Sequence, residues 1–300
     1  MISEFAVSAK SSDFEENAVR RLEHDGVVVI TDLFEEQIVR QIALDSERVM
    51  STPSSRGSFG YIAKDPFKRL YDGFLFSEHT ASTVAHLSII SIIEAYLQDN
   101  ILMTECLLKR DLGTNLTYFP YHRHTGTDLV AATNNRFGCG VIYYIHDTEE
   151  GAFCYVPGSH KLPLDKDITL LSESLECEEL SREIRRVEGN EGSVVIFNEA
   201  GWHGPEQPVT TPRTVILSGY QSKQSSGNKT RTEMPILISN IRELNSSQRD
   251  AIGFSSDSRA KYADYHIRRR SESLLERIHR YCVIGEHQLS KWKKRLRTWE

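Results

Sequence analysis

The chain has 300 residues, 39% of them hydrophobic and 26% charged, with a formal net charge of −6. This composition supports a sizeable core and excludes a chain disordered by default. The acidic balance argues against a nucleic-acid binder that works by bulk positive charge, and the sequence shows no stretch approaching the roughly 20 apolar residues of a membrane span.

The five cysteines, Cys106, Cys139, Cys154, Cys177 and Cys282, are odd in number and form no CxxC pair. That pattern favours reduced thiols inside a cell over a disulfide framework. The N-terminal residues carry acidic side chains and no apolar run of signal-peptide length. The expectation is a soluble cytoplasmic protein with no membrane and no nucleic-acid partner. Its oligomeric state is open.

Residues 12–24 predict a helix stopped at Gly26, and the β-branched run Val27-Val28-Val29-Ile30 predicts a buried strand. Thr31 and Asp32 are candidate caps for a second helix over 34–50. Residues 51–60 read as a loop, and 86–97 as a buried helix. From about 102 the pattern changes to short strands, at 103–110, 114–121, 139–146, 152–156, 192–198 and 213–221. Residues 174–186 interrupt them as a helical insertion. Short strands after N-terminal helices predict a mainly β fold with flanking helices (α+β): a jelly roll, or double-stranded β-helix of cupin-like form. We read one domain, with a core over about 102–221 and a helical C-terminal extension over about 235–300. That extension holds a helix at 259–281 and a basic stretch at 291–297, read as packing on the exterior.

Three segments carry the chemistry. They are Tyr118-Phe119-Pro120-Tyr121-His122-Arg123-His124-Thr125-Gly126-Thr127-Asp128, then Gly151 to Lys161 (GAFCYVPGSHK), then Gly192 to Phe197 followed by Trp202-His203-Gly204-Pro205 and Pro212-Arg213-Thr214. In order and spacing they resemble the phytanoyl-CoA dioxygenase-like family of iron(II)/2-oxoglutarate oxygenases. The match is strongest from Tyr144 to Tyr220 and weak in the first 100 residues and the last 80. The resemblance implies a jelly-roll fold, iron(II), 2-oxoglutarate and dioxygen as cofactors, and a small-molecule substrate. A non-haem iron(II) oxygenase holds its metal with two histidines and usually one carboxylate, leaving the opposite face open. The resemblance makes His203 the late metal ligand. It assigns Arg213 to the distal carboxylate of 2-oxoglutarate, which a guanidinium fork grips bidentately. Along that strand Val215 and Leu217 share one face, and Thr214, Ile216 and Ser218 the other.

The early motif departs from the family's His-x-Asp. In one register His124-Thr125-Gly126 takes its place, and Gly126 vacates the carboxylate position. In the other, His122-Arg123-His124 takes it, and a third histidine stands in for the carboxylate. The first register is similar to the iron(II)/2-oxoglutarate halogenases, where chloride fills the vacancy and recombines with the substrate radical in place of hydroxide. We favour this register, with His124 and His203 on the metal and His122 beside it, orienting the site or facing substrate. Halogenation then leads, hydroxylation with an unusual ligand set is the alternative, and a non-catalytic binding scaffold is the competitor from another class. Asp128, Asn134, Asn135 and Arg136 lie on a loop long enough to act as a lid, and Asp128, Asn135, Arg136 and Trp202 are substrate-contact candidates. Trp202 has packing beneath the strand as its alternative. His160, His146, Cys139 and Cys154 read as structural.

Overall fold

The computed structural model describes residues 3–51, 61–64, 67–71, 77–113, 120–124, 136–148, 150–165, 167–206, 210–223 and 243–253. In chain order the elements are β1 (Ala6–Ser8), α1 (Phe14–Asp25), β2 (Val27–Thr31), α2 (Glu36–Ser51), β3 (Tyr61–Lys64), β4 (Phe67–Tyr71), α3 (Glu78–Val84), α4 (Leu87–Leu97), β5 (Ile101–Asp111), β6 (Gly138–Tyr144), β7 (Phe153–Tyr155), α5 (Cys177–Arg182), β8 (Arg185–Val187), β9 (Val194–Asn198), β10 (His203–Pro205), β11 (Arg213–Ser222) and α6 (Ser246–Ala251).

The strands form an eight-stranded sheet in the order β1-β2-β9-β6-β11-β5-β4-β3 and a three-stranded sheet in the order β10-β7-β8. All pairings are antiparallel except β1 with β2. One face of the large sheet packs on α1, α3 and α4 through Leu22, Val28, Ile30, Ala81, Ile89, Ile93, Cys106 and Ile196. The other face meets the small sheet through Val29, Ile142, Tyr144, Phe153, Tyr155, Val195, Phe197 and Val215. The chain is therefore the expected jelly roll with helices on one side. Apolar residues of both parities in β2, β6 and β9 are what a strand covered on both faces requires.

Gly26 ends α1 in the left-handed conformation, at φ 80°, with its N–H donating to the Leu22 carbonyl. A Cβ there would also strike His160 and the Tyr155 hydroxyl, so the helix stop doubles as the contact between α1 and the strand layer. Asp32 sits at φ 59° and its carboxylate accepts from the Ser8 hydroxyl at 2.8 Å and the Lys10 ammonium at 2.9 Å. Neither it nor Thr31 caps α2, which begins at Glu36.

Several elements were not anticipated. The β3–β4 hairpin extends the large sheet at an edge, and β8 and β10 complete the small one. The insertion at 174–186 is helical only over Cys177–Arg182 before it turns into β8. Glu78–Leu97 is long and apolar enough to cross a membrane by length and composition, contrary to expectation, yet most of it is buried. Its residues form the two core helices α3 and α4. Towards the C-terminal end of the described residues, α6 docks on the same helical layer, with Leu244, Ala251 and Ile252 in its core and Gln248 Nε2 donating to the Ala85 carbonyl at 2.7 Å. Residues 259–281 and 291–297 lie outside the described residues, as do most of 51–60 and of the strand at 114–121.

A bulge decides what β5 shows to the interior. Gly219 pairs with Glu105 but Tyr220 pairs with Met103, so Thr104 is an extra residue on β5. Its hydroxyl donates to the Gly219 carbonyl at 3.2 Å. A bulge inverts side-chain parity along a strand. Ile101 and Met103 face the helices before it and Cys106 and Leu108 after it, which turns Glu105, Leu107 and Lys109 inward.

Candidate metal centre

Between the two sheets lies a cavity of about 200 Å³. The large sheet lines it with Glu105, Leu107 and Lys109 of β5, Ile142 and Tyr144 of β6, and Arg213, Val215 and Leu217 of β11; His122, His124, Glu199 and His203 face them. Val215 and Leu217 share the cavity face with Arg213, while Ile216 joins the helical core and the Thr214 hydroxyl accepts from Arg110 Nε.

His122, His124 and His203 converge so that one ring nitrogen from each lies within 4.8 Å of the others. Residues 120–124 run beside β10: His122 and His203 exchange backbone hydrogen bonds of 2.9 and 2.8 Å. In an extended segment alternate side chains share a face. His122 and His124 therefore point inward, and Arg123 points outward onto the Pro163 carbonyl at 2.9 Å and over the Trp202 ring at 4.6 Å. The connector from β9 to His203 is pinned at each step: Ala200 N–H donates to Asn198 Oδ1 at 2.7 Å, Trp202 N–H to Ser159 Oγ at 2.9 Å, and Asn198 Nδ2 to the Tyr96 hydroxyl at 2.6 Å.

Each of the three rings turns its Nδ1 towards an oxygen. The partner is the Pro120 carbonyl at 3.2 Å for His122, the Gly201 carbonyl at 2.8 Å for His203, and Glu199 Oε2 at 3.4 Å for His124. In His122 and His203 the acceptor on Nδ1 holds the proton there and leaves Nε2 as the lone-pair donor, which is the arrangement metal-ligating histidines use, while Glu199 stands at ion-pair distance from His124. Burial, reinforced by the neighbouring His122 and His124, drives the His203 pKa well below its ordinary value, and the Gly201 carbonyl opposes this only in part. His203 is thus a neutral imidazole, the form a metal needs. The donor set fits a divalent transition metal.

At another side of the cavity Arg213 Nε donates to Asp111 Oδ2 at 3.2 Å, and Lys109 Nζ lies 3.0 Å from Asp111 Oδ1. Asp111 is 1% exposed and Lys109 6%. Both cations thus share the Asp111 carboxylate, and Arg213 Nη1 is buried with no hydrogen-bond partner among the described residues. A buried guanidinium edge without an acceptor is a receptor for an anion.

Other residues named from the sequence lie elsewhere. The Trp202 ring is buried with Val156 and Leu171 and does not line the cavity. Arg136 turns to Glu23 and over the Tyr96 ring, 5.1 Å from its centroid, also away from the cavity. Gly126, Asp128, Asn134 and Asn135 lie outside the described residues. His160 is buried as a structural residue, with Nε2 on the Glu23 carbonyl at 3.3 Å and its pKa pushed down to about 4 by burial. Asp147 of the His146-Asp147 pair accepts from the Glu191 N–H at 2.8 Å, a loop contact. Cys139 and Cys154 are buried free thiols. Sequence reasoning missed Glu105, Lys109, Asp111 and Glu199. Asp111 could be found only from the register that sets it opposite Arg213. Glu199 carried a faint signal, a carboxylate on the short connector that ends at His203.

A family model described as phytanoyl-CoA dioxygenase (PhyH) matches residues 22–213. No curated protein sequence matches the chain. Among solved structures, EctD from S. alaskensis with bound Fe is similar at a TM-score of 0.62 and 18% identity, over 75% of this chain and 83% of that one. The epimerase SnoN, in complex with Fe3+, alpha ketoglutarate and nogalamycin RO, is similar at 0.54 and 14% identity, over 69% and 83%. HygX from Streptomyces hygroscopicus with nickel and 2-oxoglutarate is similar at 0.50 and 20% identity, over 67% and 84%.

Proposed function

The chain belongs to the phytanoyl-CoA dioxygenase family and is an iron(II)/2-oxoglutarate-dependent oxygenase, and from that premise we propose that it oxidises a C–H bond of a small molecule with iron held by His122, His124 and His203. The convergence of these three imidazoles carries the reading. His122 stands opposite His203 on the neighbouring strand and His124 lies two residues on, facing the same way. That favours His122-Arg123-His124 as the counterpart of His-x-Asp, with His124 in the carboxylate's place. When bound, iron(II) couples the splitting of 2-oxoglutarate to succinate and carbon dioxide with activation of dioxygen for attack on the substrate C–H bond. The protein's part is to position and to exclude water. Arg213 receives the distal carboxylate of 2-oxoglutarate through its unpaired Nη1, while Asp111 holds the guanidinium from behind. Val215, Leu217, Ile142 and Phe153 give the cavity dry walls. EctD with 5-hydroxyectoine and HygX with hygromycin B bind small molecules in a similar fold, which supports a substrate of that class here.

Chlorination is the second reading, and one observation favours it: the converging ligands are all imidazoles and none is a carboxylate, so a bound iron can draw an anion from solution. In the His124-Thr125-Gly126 register that anion is chloride at the position Gly126 leaves open. An anaerobic titration with iron(II) and 2-oxoglutarate, with and without chloride, tests both by the metal-to-ligand charge-transfer band. The three-histidine oxygenase predicts a band insensitive to chloride, and Gly126→Asp leaves its product unchanged. A band that moves with chloride, with a Gly126→Asp product shifted towards hydroxylation, replaces that reading with the halogenase. No band at all points to a binding scaffold.

A further inference from the structure

Of the three oxygens that face an Nδ1 at the centre, two are backbone carbonyls and one is a carboxylate. That carboxylate, Glu199, sits in a place prepared for it. It is 4% exposed and lines the cavity, and its Oε2 has no hydrogen-bond partner of good geometry. Its one ion pair among the described residues is with His124, at 3.4 Å. The backbone ties the same two residues together, since the His124 N–H donates to the Glu199 carbonyl at 2.8 Å, and the Glu199 N–H donates to Gly138 at 3.2 Å. Two glycines make the space for the side chain. A Cβ at Gly138 would lie 2.9 Å from Glu199 Oε2, and one at Gly219 would lie 3.4 Å from Oε1.

A buried carboxylate without a cation is expensive, because burial penalises the charged form steeply. An imidazole that gives its Nε2 lone pair to a metal offers the carboxylate one N–H and no charge of its own. A metal on the far nitrogen of the same ring offers both. Building on the three-histidine reading above, we propose that Glu199 is the anion of this metal site, acting through His124. It holds His124 as the Nδ1–H tautomer, aims Nε2 at the metal, and makes that imidazole a stronger donor. Three neutral imidazoles with one iron(II) and one carboxylate carry the same formal charge as a two-histidine, one-carboxylate site. The negative charge is displaced outward by the width of a histidine ring rather than lost. Glu199 is a positioning residue, on the same connector that delivers His203.

The test is metal affinity, measured without turnover. Purified full-length protein and its Glu199→Gln variant are stripped of metal and titrated anaerobically with Fe(II), and separately with Co(II), against a chelator of known affinity. Gln keeps the shape and an acceptor oxygen and removes the charge. We expect affinity to fall about 10–100-fold, with the metal-free melting temperature unchanged or raised because a buried charge is gone. In the zinc-loaded wild type, nitrogen NMR of the histidines should show a strongly hydrogen-bonded Nδ1–H on His124 that weakens in Glu199→Gln. Equal metal affinity of the two proteins overturns this role and leaves the three-histidine iron site standing. A Co(II) spectrum that loses a ligand in Glu199→Gln places the carboxylate on the metal itself and also overturns it. A wild type that binds no metal near one equivalent removes both proposals together.

Discussion

The two sides of the cavity solve opposite electrostatic problems. At one, Arg213 and Lys109 share the Asp111 carboxylate, and a buried polar edge of Arg213 is left over. At the other, three imidazoles face one another with the Glu199 carboxylate behind His124, so ring nitrogens converge on one point. The first presents a guanidinium edge open to an anion and the second converging imidazole nitrogens open to a metal, and the two are bridged by apolar residues of β6 and β11. A ligand that is itself an anion and chelates a metal, as 2-oxoglutarate does, completes both at once.

The largest expected effect breaks the imidazole side and decides how it is built. His203→Ala should reduce iron affinity by more than the roughly 100-fold that losing an outer partner of a ligand produces. His122→Ala should do the same if His122 is a ligand. If it only orients the site, the loss should stay within about 10–100-fold, so titrating both variants with Fe(II) separates the two registers.

The matching change on the cationic side is Arg213→Lys, which keeps a charge but loses the planar fork. With charged hydrogen bonds worth about 1.5–3 kcal/mol, KM for 2-oxoglutarate should rise roughly 10–100-fold while metal affinity measured without 2-oxoglutarate stays unchanged. A joint loss of both would mean the two sides are not independent.

Acid should destabilise the metal-free fold through its buried histidines. His203 and His160 have folded-state pKa values below their unfolded ones, for His160 about 4. Above an unfolded pKa of about 6.5 both states are neutral and nothing is lost. As pH falls through that value the unfolded chain takes up protons that the folded one refuses, so stability drops. His160 alone accounts for about 3 kcal/mol between pH 6.5 and 4. Urea melts of the metal-free protein across that range should show the decline, and His160→Asn should flatten part of it. Metal on His203 should preserve the rest.

The smallest effect concerns the bridge between the two sides. A Cβ at Gly140 would land on the Phe197 ring, which packs 4.8 Å from the His203 ring, centroid to centroid. Gly140→Ala should destabilise the fold by about 1–3 kcal/mol through overpacking, read by urea melts, and weaken metal binding through the displaced ring.

Much of this protein was legible in its residues, and the part that was follows local rules. The αL stop at Gly26, the β-branched strand after it and the burial of Leu87–Leu97 need only propensity and periodicity. The order of GAFCYVPGSHK, GSVVIF, WHG and PRT sufficed to identify the family, and it singled out His203 and Arg213, both of which line the cavity. The remainder depends on which strand lies beside which. Local sequence cannot choose between His122 and Gly126 as the partner of His124, because both lie two residues from it. The structure brings His122 in through its bridge to His203, while Gly126 lies outside the described residues. The extra residue Thr104, which turns Glu105 and Lys109 inward, is visible only against Gly219 and Tyr220 of another strand. Asp111 meets Arg213, and Glu199 meets His124, across 102 and 75 residues of chain. Charge neutralisation in a buried site is a property of the assembled sheets, and those pairs came only from the tertiary structure.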